Sequence, residues 1–219
     1  MEKILPIVYV EIKLKNKAKH RNKMPLIAIG EIIDLAFMTI FVGYIFSDII
    51  PVRRESYDPL THYKRGFDFE ALKFAIMATA PAIIVHEMAH KFIALGFGLS
   101  ATFYAFYRSS FTLMLGIIAV ISKLTGFGFV FIVPGFVKIS GSGTHLQFAL
   151  AAFAGPFVNL ILWLGSWYLL KNRVHRKKHH LLLLLTQRIN MFLFIFNMLP
   201  IPGFDGYKVF TGIISAFIG

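Results

Sequence analysis

The fold is decided by residues 81–97, which read P-A-I-I-V-H-E-M-A-H-K-F-I-A-L-G-F. His86, Glu87 and His90 place three ionisable side chains on one turn of a long apolar run. In a membrane span such side chains are costly unless something binds them, so the stretch predicts a spanning helix that carries a polar site. The alternative is a polar turn at the membrane interface, near the cytoplasmic end of the helix.

The composition places the rest of the chain in lipid as well. It has 219 residues, of which 57% are hydrophobic, and its mean hydropathy is +0.67. A soluble domain of this length needs fewer apolar residues to fill one core. Several runs approach or exceed the roughly 20 residues that cross a bilayer, which predicts an all-α membrane protein, a polytopic helical bundle of about five to six spans. The expected spans are about 25–50, 70–97, 145–170 and 181–199, with a short last run at 206–219.

The charge pattern narrows the class of partner. The net charge is +12, but the basic residues flank apolar runs, a pattern typical of membrane topology and contact with anionic headgroups. No nucleic-acid motif accompanies the charge, so we expect the lipid bilayer as partner and no nucleic acid. The chain has no cysteine. Any metal site must therefore use histidine and carboxylate.

The chain divides into a basic segment, residues 1–24, and a single membrane domain, residues 25–219, with its core at about 70–210. By the positive-inside rule the basic segment is cytoplasmic, and we expect a multi-pass protein of a prokaryotic plasma membrane with its site toward the cytoplasm. No cleavable signal is expected at the N-terminus. Glu31 and Asp34 lie near the start of the first span, where we favour interfacial exposure over a polar pathway.

Residues 98–144 are expected to form a helix fragment or re-entrant piece followed by a β-hairpin around Pro134-Gly135. Such a hairpin must lie against protein or line a wet cavity. If this region crosses the membrane zero or two times, His86 and Asp205 reach the same side; a single crossing would separate them. The scheme places the basic loop 171–180 outside, against the positive-inside bias.

The spacing of H-E-x-x-H suits a metal. Residues four apart share one helix face, so His86 and His90 can reach one Zn²⁺ at about 2.0 Å, and Glu87 can take a proton from water beside it. A catalytic zinc usually has three protein ligands. Asp205, in N-M-L-P-I-P-G-F-D-G (197–206), meets that need, because prolines that unwind a helix beside a carboxylate at membrane depth indicate a buried site. The alternative for Asp205 is a Pro-Gly turn that ends the helix in water.

Three ordered motifs carry a family resemblance: H-E-M-A-H (86–90), G-P-F-V-N (155–159) and N-M-L-P-I-P-G-F-D-G. Together they resemble the site-2 protease family of intramembrane zinc metalloproteases. The resemblance implies one zinc ion held by His86, His90 and Asp205, with Glu87 as the general acid and base. It also implies that Asn159 and Asn197 hold substrate or stabilise the oxyanion. Interhelical hydrogen bonding is the alternative for both asparagines.

The resemblance further implies a zinc-dependent intramembrane endopeptidase that cleaves in or near the transmembrane segment of a protein or peptide substrate. In the family, a β-hairpin beside the site pairs with the unwound substrate, a role that Gly128–Ser140 is expected to fill. The alternatives are a non-catalytic metal-binding scaffold and a transporter. Glu87 argues against zinc storage, which needs no acid or base, and a transporter would more often show repeated halves. Tyr207 departs from a glycine common in relatives, and no inserted domain is present, so we expect a minimal form. The sequence names neither the substrate nor the oligomeric state.

Overall fold

The computed structural model describes residues 27–47, 69–126 and 135–218, with the side chain of Lys178 excepted. The basic segment 1–24 and most of the loop after the first span lie outside the described residues. Within these ranges the chain forms six α-helices and one two-stranded sheet. In chain order they are α1 (Ile29–Phe46), α2 (Phe69–Gly96), β1 (Ser100–Ala105), α3 (Ser110–Thr125), β2 (Gly135–Ser140), α4 (His145–Lys171), α5 (His180–Asn197) and α6 (Asp205–Ile218).

Among these helices, α1, α2, α4 and α5 are long and apolar enough to cross a membrane. They coincide with the four long runs expected from the sequence, which confirms the helical membrane bundle. The apolar helix α3 has 16 residues and α6 has 14, both below the lower limit of about 17 residues for a full span. The described part of the chain thus has four full-length spans where five to six were expected.

Local signals fix where the helices begin and end. The Thr144 hydroxyl accepts a hydrogen bond from the backbone N–H of Gln147, and the Gln147 side chain accepts one from the Thr144 N–H. This reciprocal pair satisfies two donors that would otherwise be orphaned at the start of α4. At the end of α3, Gly126 has a φ of +68°, the left-handed conformation in which glycine commonly follows a helix.

Helix α4 is the centre of the bundle and packs against α2, α5 and α6. Its buried face is made of small residues, which let neighbouring backbones approach closely in lipid. They are Ala149, Ala151, Ala152, Ala154 and Gly155.

The predicted β element is present, but its pairing differs from the expected hairpin. β2 pairs antiparallel with β1, in a register that runs from Ser100 opposite Ser140 to Ala105 opposite Gly135. The partner strand therefore precedes α3 instead of lying immediately before Pro134, and the expected first strand of the hairpin falls largely outside the described residues. A Pro-Gly signal reports a local turn, whereas strand pairing across an intervening helix leaves no local signal.

Glu31 and Asp34 are buried, at 4% and 2% exposure, so the expected interfacial exposure is wrong. The Glu31 carboxylate accepts hydrogen bonds from the Lys91 ammonium at 2.6 Å and from the Phe103 N–H at 2.8 Å. It thereby joins α1, α2 and β1. Asp34 accepts hydrogen bonds from the Tyr107 hydroxyl and from Arg108, and the bond from Tyr107 raises the pKa of that hydroxyl.

The hydrogen bond from the Phe103 N–H to Glu31 also shows which way the backbone N–H groups of the two strands point. Directly opposed residues in an antiparallel pair exchange both backbone hydrogen bonds or neither. Since the Phe103 N–H points to Glu31, the pair Phe103 and Val137 exchanges none, and the N–H of Val137 points away from β1. The N–H of Ile139, two residues further along β2, also points away from β1. Both N–H groups face the outer edge of β2.

The buried pair of Glu31 and Lys91 makes a stability prediction. Glu31→Ala leaves the Lys91 ammonium, 2% exposed, without its carboxylate, and breaking such a pair costs about 3–5 kcal/mol. Unfolding in mixed micelles measures the loss. The double variant Glu31→Leu/Lys91→Met removes both charges and should recover part of it. A Glu31→Ala protein as stable as the wild type would contradict the assignment.

Candidate metal centre

Helix α2 carries three of the predicted site residues on one turn. His86, Glu87 and His90 are all buried, at 5%, 5% and 3% exposure. The imidazole rings of His86 and His90 lie edge to face, with centroids 4.7 Å apart. The i, i+4 spacing therefore turns both rings into the interior of the bundle.

Asp205 reaches the two histidines from the far end of the chain. It is the first residue of α6, and its Oδ2 lies 3.1 Å from His90 Nε2 and 3.3 Å from His86 Nε2. Gly206 permits this position, because a Cβ there would lie 2.4 Å from the Met198 carbonyl carbon. The start of α6 can thus pack closely against the end of α5. The structure brings Asp205 to the same side of the bundle as His86, as the sequence analysis required.

The geometry of the three side chains fits a zinc ion. His86 Nε2 and His90 Nε2 are 3.0 Å apart, so the three separations are 3.0, 3.1 and 3.3 Å. Ligand atoms of a tetrahedral zinc with bonds of 2.0–2.1 Å lie about 3.3 Å from one another. Two imidazoles and one carboxylate are also a donor set used by catalytic zinc sites, which keep the fourth position open.

Each ligand has a partner on its outer side. His90 Nδ1 lies 2.8 Å from the carbonyl oxygen of Ala151. Because a carbonyl only accepts, Nδ1 must donate, and in the neutral ring Nε2 then keeps its lone pair for a metal. Asp205 Oδ1 lies 3.5 Å from the Lys208 ammonium. Outer partners of this kind orient metal ligands and tune their affinity.

A cavity of about 50 Å³ adjoins the three ligands. One water needs roughly 10–15 Å³ of such space, so the cavity has room for the water that hydrolysis consumes. Glu87, Asn197, Lys208 and the first residues of β2 line it. Glu87 thus faces the same space as the metal ligands, where the sequence analysis placed a general base.

The two predicted asparagines occupy different places. Asn197, the last residue of α5, lines the cavity. Asn159 on α4 is 0% exposed and contacts His86 at Nδ1, the ring nitrogen on the side away from Asp205. The role of both in holding substrate or stabilising an oxyanion stays a prediction.

Gly155 and Lys208 belong to the site, although sequence reasoning assigned neither a role. A Cβ on Gly155 would lie 2.3 Å from His90 Nε2 and 2.7 Å from His86 Nε2. Gly155 stands in the G-P-F-V-N segment, and Lys208 lies three residues after Asp205 on the same helix face. The G-P-F-V-N segment and the spacing of three residues from Asp205 were the sequence features that could have identified these two residues.

Comparison with known proteins gives one informative match. A protein of Methanocaldococcus jannaschii named "Putative zinc metalloprotease" is 32% identical over 180 residues, which cover 82% of this chain and 82% of that protein. No family model matches the chain, and no solved structure matches it. The name of this relative and the donor set of the site point to the same chemistry.

Gly155 supplies a test of the metal centre. In Gly155→Ala, the new methyl group meets both Nε2 atoms, so we expect zinc affinity to fall by about 10- to 100-fold or more, the range seen when ligands lose their orientation. Chelator competition on the purified protein measures its zinc affinity. Gly165→Ala, on the same helix with open space around its Cβ, is the matched control. A zinc affinity in Gly155→Ala equal to that of wild type would contradict a metal at this position.

Proposed function

Because the chain belongs to the family of this archaeal zinc metalloprotease relative, we propose that it is a zinc-dependent endopeptidase of the site-2 protease type, acting within the membrane. Its substrate would be a transmembrane protein or peptide, cleaved in or near its spanning segment. The observation that carries the proposal is the buried cluster of His86, His90 and Asp205 beside Glu87, inside a bundle of apolar helices.

The residues divide the work of hydrolysis among them. His86, His90 and Asp205 would hold one zinc ion, which supplies Lewis-acid chemistry when bound. The Glu87 carboxylate accepts a proton from water in the cavity and delivers it to the leaving amine. The Asn197 carboxamide, at the cavity wall, is placed to donate a hydrogen bond to the carbonyl oxygen as negative charge develops there.

The position of the cluster supports cleavage within the membrane. The three residues of the H-E-x-x-H motif are buried in α2, a 28-residue apolar helix, and α4 covers them with its small-residue face. The charge pattern and the archaeal relative support a multi-pass protein of a prokaryotic membrane, with the site toward the cytoplasm. The burial of the site in the bundle supports membrane-anchored substrates over free soluble proteins.

The outer edge of β2 is the proposed docking site for the substrate backbone. The N–H groups of Val137 and Ile139 face that edge, and a cavity of about 350 Å³ lies beside it. This cavity shares Phe136, Val137, Ile139, Ala152 and Lys208 with the cavity at the metal ligands. A helical substrate hides its carbonyls in its own hydrogen bonds. An unwound segment added along β2 would expose the scissile carbonyl and lead it to Glu87.

The roles of Glu87 and Asp205 separate in a cleavage assay. Glu87→Gln removes the proton acceptor but no metal ligand, so we expect zinc to be retained and cleavage of a single-span substrate to fall by about 10²- to 10⁴-fold. Asp205→Asn should weaken zinc binding itself. Zinc content and cleavage are measured on the same purified samples. If the wild-type protein bound stoichiometric zinc but cleaved none of several substrates, the metal-binding scaffold would be favoured.

The docking edge is tested by Ile139→Pro. Proline removes the outward N–H at this position but no donor of the β1–β2 ladder, and proline is tolerated on such edges. We expect cleavage to fall at least about tenfold, the effect of roughly 1.4 kcal/mol of lost substrate binding, while zinc content stays unchanged. Ile139→Ala keeps the N–H and shortens the side chain, so it controls for packing. Equal cleavage by wild type and Ile139→Pro would refute strand addition here.

A further inference from the structure

Asn159 is an unusual polar residue at the centre of the bundle. Its side chain is 0% exposed, and its Nδ2 lies 2.9 Å from His86 Nδ1. Its Oδ1 has no hydrogen-bond partner among the residues that the structure describes. A buried carboxamide with one end unpartnered costs free energy, so its contact with His86 needs a functional account.

The orientation of this carboxamide determines which nitrogen of His86 carries a proton. If the Asn159 NH₂ group donates to Nδ1, the neutral ring must hold its proton on Nε2, the atom that faces His90 and Asp205. That ring could not bind a metal through Nε2. If the Asn159 oxygen faces Nδ1, the ring proton sits on Nδ1 and is donated to that oxygen. His86 Nε2 then keeps its lone pair.

The two orientations differ by a half-turn of the carboxamide, whose oxygen and nitrogen occupy nearly the same space. With Nδ2 toward His86, Oδ1 has no donor among the described residues, so hydrogen bonding does not favour that orientation. The metal cluster favours the other one. His90 already shows the required arrangement, since its Nδ1 donates to the Ala151 carbonyl oxygen at 2.8 Å.

From this geometry we propose that Asn159 is a positioning residue, whose carboxamide oxygen accepts the Nδ1–H of His86 and so holds Nε2 ready to bind zinc. Helix α4 then orients both histidine ligands, His90 through the Ala151 backbone and His86 through the Asn159 side chain. The inference rests on the proposed zinc site, but it assigns Asn159 to the metal instead of to the substrate.

The proposal requires an acceptor at position 159, and the choice of variants follows from that. Asn159→Asp keeps an oxygen at His86 Nδ1, whereas Asn159→Leu keeps the volume and removes the acceptor. Zinc affinity is measured by chelator competition on the full-length protein in detergent. We expect Asn159→Leu to bind zinc about 10- to 100-fold more weakly, the usual cost of losing an outer partner. Asn159→Asp should bind within about threefold of wild type, well inside that range.

Asn190 offers a matched control. It is 1% exposed, its Oδ1 likewise lacks a partner among the described residues, and its Nδ2 donates to the Thr186 carbonyl oxygen within α5. Asn190→Leu removes a buried asparagine of the same kind without touching a metal ligand, so its zinc affinity should equal that of wild type. Equal weakening in Asn190→Leu and Asn159→Leu would reduce the effect to general packing and overturn the proposal.

A second measurement does not require that any variant at position 159 folds. In wild-type protein with ¹⁵N-labelled histidine and no added metal, the neutral His86 ring should carry its proton on Nδ1, with the signal assigned by its loss in His86→Gln. A proton on Nε2 would overturn the proposal. So would an Asn159→Leu protein that binds zinc normally but fails to cleave, since that result assigns Asn159 to the substrate. Absence of zinc binding in wild type would instead remove the proposed function, a distinct result.

Discussion

The site depends on the close approach of α4 to α2 at Gly155. No side chain fits there, because even a Cβ would lie 2.3 Å from His90 Nε2. In a bilayer, helices gain little from the hydrophobic effect when they associate, and small residues allow the close contact that replaces it. The same contact leaves room for an ion between the histidines and brings the Ala151 carbonyl within reach of His90. Helix packing and the geometry of the candidate metal site are therefore one constraint on α4.

A second constraint places the sheet. Glu31 holds Lys91 and the Phe103 N–H together, so one buried carboxylate ties α1 and β1 to the residue that follows His90. Buried ion pairs add little net stability compared with apolar packing, but they strongly penalise arrangements that separate the charges. The consequence is positional: β1 is occupied on one edge by Glu31 and on the other by β2. The edge of β2 that runs past the cavity is left free of strands in the described residues.

The features that could be predicted from the sequence are those that depend on a local pattern of residues. The i, i+4 histidines, the four long apolar runs and the proline-broken segment before Asp205 each follow from residues close together in the chain, and each lies where expected. The failures are non-local. Glu31 is buried by a hydrogen bond from Phe103, 72 residues away, and β2 pairs with a strand that precedes α3. The importance of Gly155 was hidden for the same reason, since only the packed structure shows which side chains face its Cα.

Charge balance explains why Glu87 and Asp205 lie together in a low-dielectric interior. With His86 and His90 neutral, the two carboxylates carry a charge of −2, and two like charges so close cannot both remain ionised there without compensation. Lys208 offsets only part of it, because its side chain is 46% exposed and its charge is screened by solvent. A divalent cation held by His86, His90 and Asp205 would offset the charge of both carboxylates. In the proposed mechanism, the carboxylates that would act as ligand and base are thus also the charges that make a buried divalent metal acceptable within the bundle.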